Sequence, residues 1–317
     1  MPGEKVRVGI STCLLGEKVR YDGGHKLDRY LVETLGAYVE YVSVCPEVEC
    51  GLPIPRESLR LVGEPEAPRL VTTRTGRDET ERMVRWASKR VQALEKEGLC
   101  GFIFKSKSPS SGMERVKLYD RNGVPSNRGV GLFAMHFMNQ FPYLPVEEDG
   151  RLHDPLLKEN FIERIFVFKR WRDMAEAGPG RGRLVDFHTR HKLLLLSRGP
   201  KHVTEAGRLV AAARELPVKE LFTRYRDLLM EALRGKATVK RNTNVLHHVM
   251  GYFKKDLSAD EKQELLEVIG RYHDGLVPLI VPITLLNHYV RKYDQPYLKG
   301  QFYLNPHPAE LKLRNHV

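Results

Sequence analysis

The chain lacks the features that would place it in several large classes. Only four of its 317 residues are cysteine and only two are tryptophan. No apolar run reaches the ~18 residues that a membrane helix requires, so no membrane contact is expected. The opening, MPGEKVRVGI, lacks the charged-then-apolar layout of an export signal. Few thiols and no such signal argue against a disulfide framework and for a reducing cytoplasm, where cysteines serve metals or chemistry. There is no C-x-x-C pair, which speaks against dithiol redox catalysis. Low-complexity tracts are absent too, and nothing in the sequence settles the oligomeric state.

What is present is an uneven charge. The net charge is +12, yet residues 1–150 hold 22 basic and 21 acidic side chains, against 30 and 19 in the remainder. This skew predicts that the C-terminal half meets a polyanion while the N-terminal half does something else. In the first half, VRVGIST reads as a strand, LDRYLVETLGAY as a helix with Leu31 and Leu35 on one face, and YVEYVSV as a second strand. A Pro- and Gly-rich loop runs to about Pro68, the amphipathic helix DETERMVRWASKRVQALEKEG follows, and LCGFIFKSK is a third strand. This alternation predicts an α/β domain, Rossmann-like with a mainly parallel sheet, whose ligand site lies beyond the strand carboxyl ends. The stretch FPYLPVEEDGRLHDP marks a break. Beyond it the patterns are helical, from NFIERIFVFKRWRDMAEA to the Pro-interrupted VPLIVPITLLNHYVRKY, with an extended tail, YLNPHPAELKL. The expected domains are 1–147, α/β, and 148–317, all-α and basic.

Three cysteines fall at predicted strand ends. Cys13 follows the first strand, Cys45 ends the second, and Cys50 lies in the loop after it; Cys100 precedes the third strand's apolar run. The first three can gather at one sheet edge as a metal or cluster site, or all can be small buried apolar residues. Three thiols fall one short of a structural zinc site or a fully ligated four-iron cluster. In the second half, His188 and His191 can bind a metal or simply pack on a basic helix face, and the latter is favoured.

The segments STCLLGEKVRYDGGHK, VCPEVECGLPIPRES, TRTGRDET and FKSKSPSSGMERVKLYD together resemble the TudS-like thiouracil desulfidases. FHTRHKLLLLS, RNTNVLHHVMGYFKK and VPLIVPITLLNHY resemble the YbgA-like helical domain. The fused arrangement is similar to desulfidases acting on 4-thiouridine, including the base in tRNA. The resemblance implies a [4Fe-4S] cluster held by three cysteines, with one iron open to the substrate sulfur. One departure stands out: many relatives read S-P-S-C-G where this chain has Ser108-Pro109-Ser110-Ser111-Gly112, and Cys50 stands where they often carry glycine. If the two loops adjoin, the resemblance implies Cys13, Cys45 and Cys50 as the triad, with Cys100 the poorer alternative at the entry of a buried strand.

Replacing C=S by C=O is a hydrolysis without net electron transfer. Glu47 is the expected proton-transfer residue, its pKa raised by burial beside the cluster, with Glu49 a second choice. Ser108 is expected to orient the water or the ring, or else to cap the turn before Pro109. Tyr21 is a stacking candidate or a buried aromatic. Arg56 and Lys107 are phosphate candidates, and Ser111 belongs to the expected substrate wall. The expected partner is tRNA or a thiolated uridine nucleotide, the basic helical domain holding the phosphate backbone. The alternatives are an enzyme of free thiouracil, a cluster-sensing nucleic-acid-binding regulator, and a zinc-stabilised structural protein.

Overall fold

A computed structural model describes residues 5–316; the first four residues, part of the stretch read for an export signal, lie outside it. The chain divides into two units, one up to Asp154 and one from Pro155. The first unit is α/β and the second is helical, as the alternation and the later periodicity predict.

The strands of the first unit are β1 (Val6–Ser11), β2 (Val39–Val44), β3 (Leu59–Glu64), β4 (Ala67–Thr72), β5 (Gly101–Phe104), β6 (Val116–Tyr119), β7 (Pro125–Gly129) and β8 (Val146–Glu148). One sheet has the order β2-β1-β5-β8, and all of its pairings are parallel. β1 and β5 are central and buried nearly throughout, which is why they read as continuous apolar runs. Connections leave β1 toward β2 on one side and reach β5 on the other, so a crevice opens at the carboxyl ends of β1 and β5.

The second sheet, β4-β3-β6-β7, is mixed, with β3 and β4 a hairpin in the stretch read as loop. Arg60 and Arg69 alternate with Leu61 and Leu70, both fully buried. The Pro and Gly content around the turn masks this period-two pattern. The segment read as a helix around Leu31 and Leu35 does bury both, but as irregular turns: i→i+5 winding over Tyr30–Thr34, then a tight turn over Leu35–Ala37.

Three helices complete the unit: α1 (Pro46–Glu49), α2 (Thr80–Glu95) and α3 (Leu132–Gln140). α2 buries Met83, Ala87, Val91 and Leu94 as one stripe. Under α3 lies an aromatic cluster in which Phe102 meets Phe104 at 4.4 Å and Phe137 at 4.6 Å between ring centroids. Phe102 also presses on the backbone of Gly9, where an added Cβ would sit 2.2 Å from the ring.

The second unit consists of α4 (Pro155–Glu176), α5 (Arg181–Arg198), α6 (Pro200–Ala211), α7 (Val218–Arg234), α8 (Val239–Met250), α9 (Ala259–His273), α10 (Ile280–Lys292) and α11 (Pro296–Lys299). Pro282 falls in the first turn of α10, where its missing N–H costs nothing. The tail is not extended: Tyr303, Leu304, Leu311 and Leu313 are buried. Arg314 fastens it, donating to Tyr303 O at 2.7 Å and reaching Glu159 at 3.3 Å and Glu163 at 3.5 Å. No helix among the described residues is long and apolar enough to cross a membrane.

Gly9→Ala tests the packing of the central strand. Forcing a methyl group into the Phe102 ring is expected to cost about 1–3 kcal/mol, read as a lower urea midpoint at unchanged slope.

Candidate active site

The carboxyl ends of β1, β2, β5 and β8 stop at one level because the sheet is in parallel register, Ser11 opposite Val44 and Phe104 opposite Glu148. A cavity of about 330 Å³ opens there. Cys13, Cys45, Glu47, Tyr21, Arg56, Lys107, Ser108 and Ser111 all line it. Eight of the nine side chains expected at the site are thus brought together, and Cys50 is not.

The walls are cross-braced. The Lys105 backbone N–H donates to Ser11 Oγ at 2.9 Å, tying the exit of β5 to the end of β1. Asp149, just after β8, accepts from Lys105 Nζ and from the Ser106 N–H, both at 2.7 Å. Burial opposes the charge on Asp149, but these donors hold its carboxyl below the usual carboxylate range. The loop 108–112 is fixed by Ser108 Oγ, which accepts the N–H groups of Ser110 (3.3 Å) and Ser111 (3.1 Å). Its carbonyls in turn take the first free N–H groups of α3: Leu132 donates to Pro109 O and Phe133 to Ser110 O. Gly112 and Gly131 let these backbones touch; a Cβ on Gly131 would lie 2.6 Å from the Ser110 backbone.

Glu47 sits in the single turn of α1. One carboxylate oxygen accepts Arg56 Nε at 2.9 Å and pairs with its Nη2, while the other accepts the Ser110 hydroxyl at 2.8 Å. Ser110 also meets Ser108 Oγ at 3.0 Å, so a hydroxyl chain runs from Glu47 along the loop. Arg56 is buried and committed: it also donates to Val19 O and Pro53 O, so it positions Glu47 rather than waiting for a phosphate. Ser108 is the turn cap as well as a member of this chain. Lys107 is exposed, has no ionic partner among the described residues, and holds a left-handed φ of 61° at the cavity wall. Tyr21 is exposed rather than buried, with the Arg20 guanidinium 5.4 Å from its ring centre. Glu49 turns away, capping the Cys45 N–H at 2.9 Å and pairing with Arg90.

Burial pushes the Cys13 thiol up to about 11 and raises that of Cys45, and the two are close enough for the charge of Cys45 to raise Cys13 further. Cys50 faces elsewhere. Five residues through a helical turn rotate the chain by about 500°, leaving the two side chains ~140° apart. The Cys50 sulfur lies 3.3 Å from Glu47 O, packs on the core that contains Leu61, Leu70 and Met83, and lines a separate groove with Arg82 and Trp86. Cys100 is fully buried beside Arg7, at the opposite end of the sheet. Among the described residues, no group of three Cys, His, Asp or Glu is arranged around a metal position. The three-thiolate donor set is therefore not assembled here: the cavity offers two thiols and the Ser111 hydroxyl.

A family model described as 2-thiouracil desulfurase matches residues 8–149, and one described as a protein of unknown function, DUF1722, matches residues 192–308. The chain belongs to the 2-thiouracil desulfurase family and carries a DUF1722 region. The uncharacterized protein YbgA of Escherichia coli (strain K12) is 32% identical over 158 residues, 50% of this chain and 94% of that protein. The uncharacterized protein YbbK of Bacillus subtilis (strain 168) is 32% identical over 111 residues, 32% of this chain and 71% of that protein. A solved structure of the [4Fe-4S]-dependent thiouracil desulfidase TudS aligns at a TM-score of 0.40 and 30% identity, over 47% of this chain and 95% of that one.

In this desulfurase unit, two residues escaped the sequence reading, Ser110 and Asp149. Ser110 was hidden between equivalent-looking serines, and Asp149 stood at the end of a strand too short to read. The histidines of the helical unit take structural places. His188 meets Tyr225 Oη at 3.1 Å, while His191 stacks on Phe187 at 3.9 Å and contacts Arg170 Nε at 3.2 Å. Burial holds both below the usual histidine range, His191 well below it.

A pH series on Asp149→Asn tests the brace. The folded carboxyl is depressed, so its stabilisation is complete above the unfolded value of about 3.9 and disappears as pH falls through the lower folded value. Wild type should therefore melt above the variant at a constant interval from neutrality down to about pH 5, with the interval closing below that.

Proposed function

We propose that this chain removes sulfur from a thiocarbonyl pyrimidine, most specifically 4-thiouridine in tRNA, by hydrolysis. The balance is simple: thiocarbonyl and water give carbonyl and hydrogen sulfide, with no electron exchanged. The observation that carries the reading is Glu47, held between Arg56 and Ser110 on the wall that also presents Cys13 and Cys45. A carboxylate fixed at both oxygens is a pre-oriented base. Glu47 takes a proton from water entering the cavity and passes it to the departing sulfur. Ser110 keeps the carboxylate aimed, and Ser108 keeps Ser110 in place.

The TudS relative is named for a [4Fe-4S] cluster, and such a group would supply a sulfur-seeking Lewis acid. Cys13 and Cys45 are the thiols of this chain that would hold it. At the rim, Tyr21, with the Arg20 guanidinium over its ring, offers a face for the base, and Lys107 offers charge for a phosphate. The net basic charge of the second half supports a polymer substrate, whose backbone it would hold without reading bases. Chemistry that uses reduced thiols suits a reducing cytoplasm.

Protein purified without oxygen is expected to clear the thiocarbonyl absorbance of thiolated tRNA and release sulfide. 4-Thiouridine monophosphate and free 2-thiouracil serve as smaller substrates in parallel. Failure on all three would sink the reading, and activity confined to free thiouracil would move it to salvage of the base. Glu47→Gln should lower turnover about 10²–10⁴-fold, with the melting temperature measured alongside. Lys107→Gly relieves the left-handed backbone, so it should keep or gain stability while raising KM for the nucleotide and leaving that for the free base unchanged.

A further inference from the structure

We propose that the helical unit carries a phosphate site of its own, a groove in which Arg170, Arg183 and Arg190 receive the phosphate group of a nucleotide or an RNA strand. The groove lies among α4, α5 and the segment after α11, and its chemistry is independent of the desulfurase reading above.

Its volume is about 470 Å³, and Arg170, Arg183, Arg190, His191 and Phe302 line it. Arg170 is the decisive group. Its Nε donates to His191 Nε2 at 3.2 Å and its Nη1 to Pro306 O at 2.9 Å. His191 can accept because its Nδ1 hydrogen goes to Phe187 O, at 2.7 Å. The remaining nitrogen, Nη2, is buried and has no hydrogen-bond partner among the described residues. No carboxylate pairs with this guanidinium among them either: at the groove wall, Asp173 is paired with Lys169 and Asp186 with Arg190. Burial and the Arg190 charge push Arg170 down to about 9, and Glu163 offsets only part of that. A buried cation held by neutral acceptors alone is costly unless an anion reaches it.

A second cation is gathered against the first. The guanidinium of Arg170 lies 4.0 Å and that of Arg190 4.6 Å from the centre of the Phe302 ring. The Phe302 N–H donates to Arg190 O at 3.0 Å, which fixes this segment on α5. Two like charges on one ring repel, and an anion shared by both turns that repulsion into attraction.

The other end of the groove is the amino end of α5, entered through Gly178-Pro179-Gly180-Arg181-Gly182-Arg183. No side chain caps this helix, no acidic residue stands in its first turn, and its first bond runs from Leu184 N–H to Gly180 O. The N–H groups of Arg181, Gly182 and Arg183 therefore lack helical acceptors. A Cβ on Gly180 or Gly182 would meet nothing within 4 Å, so packing does not require these glycines, and they leave the backbone open to a ligand. A glycine-rich entry, a free helix N-terminus and guanidinium forks together suit the tetrahedral oxygens of a phosphate. The groove follows α5 from Gly182 to His191, roughly 14 Å at the helical rise. That length takes a phosphate with its nucleoside, or successive phosphates of a strand.

The test titrates the full chain with inorganic phosphate, uridine monophosphate and a short oligouridylate. Binding is read by calorimetry and by the melting temperature against chloride at equal ionic strength. Wild type is compared with Arg190→Gln, Arg170→Lys and Arg224→Gln, the last an exposed arginine of α7 that serves as charge control. Wild type should bind the phosphate probes and melt higher in phosphate than in chloride. Arg190→Gln and Arg170→Lys should weaken that binding about 10-fold or more, whereas Arg224→Gln should keep it. Circular dichroism checks each fold, and Arg190→Gln decides alone where Arg170→Lys does not fold. Equal affinity for the nucleotide and the oligouridylate identifies a nucleotide ligand, and tighter binding of the oligouridylate identifies an RNA strand; both uphold the site. Wild type that binds no probe, undiminished binding in folded Arg190→Gln, or an equal loss in Arg224→Gln would overturn it. Sulfide release from free 2-thiouracil, followed on the same protein, tests the desulfurase reading separately, so its failure leaves the groove untouched.

Discussion

Everything at the cavity depends on the common finishing line of four parallel strands. β2, β1, β5 and β8 stop level with one another, so segments 94 and 44 residues apart in the chain meet as neighbours: Lys105 on Ser11, and Lys105 again on Asp149. A slip of one residue in any pairing would send alternate side chains to the other face. The buried contact of Phe102 on Gly9 makes that slip sterically costly. The aromatic packing under α3 and the chemistry above the strand ends are therefore two consequences of one register.

The polar wall of the cavity is stiff because nearly every group in it has a second task. Arg56 spends its donors on Glu47 and on two backbone carbonyls, and Ser108 holds two N–H groups while touching Ser110. Such networks orient a carboxylate without leaving it free to rotate, which suits proton transfer at a fixed point. The groups left without this burden are Lys107 and Tyr21, both exposed at the rim.

The helical unit divides its charge between inside and outside. Glu163 is buried against Arg198 and Arg314, and although burial opposes its charge, the two guanidinium groups hold its carboxyl below the ordinary range. A buried ion cluster of this kind specifies one arrangement of α4, α5 and the tail more than it adds stability. The histidines that invited a metal reading instead belong to aromatic packing, His191 against Phe187 and Phe302.

Much of this was legible in the sequence, and the limits have physical causes. Apolar runs ending in small residues marked β1, β2 and β5, because strands buried on both faces cannot alternate. A 3.6-residue period marked α2 and the helices of the second unit. The hairpin of β3 and β4 was hidden because Pro65, Pro68 and Gly63 cluster around its turn, and the tail was misread because its burial depends on Arg314 reaching across to Glu163. Residue order alone put the loops of Cys13, Cys45 and Cys50 at one edge, since a parallel sheet collects such loops there, whereas Glu47 and Ser108 were picked out by the resemblance to the desulfidases. By itself, then, the sequence determined the class of fold, the edge where the site forms and the chemistry available there. Only the tertiary structure decided which side chains of those loops face inward. One helical turn carries Cys50 to the back of the wall, while the hydrogen-bonded serine loop leaves Ser111 in the lining of the cavity. Spacing along a chain sets what can be near, but rotation about the backbone sets what points where.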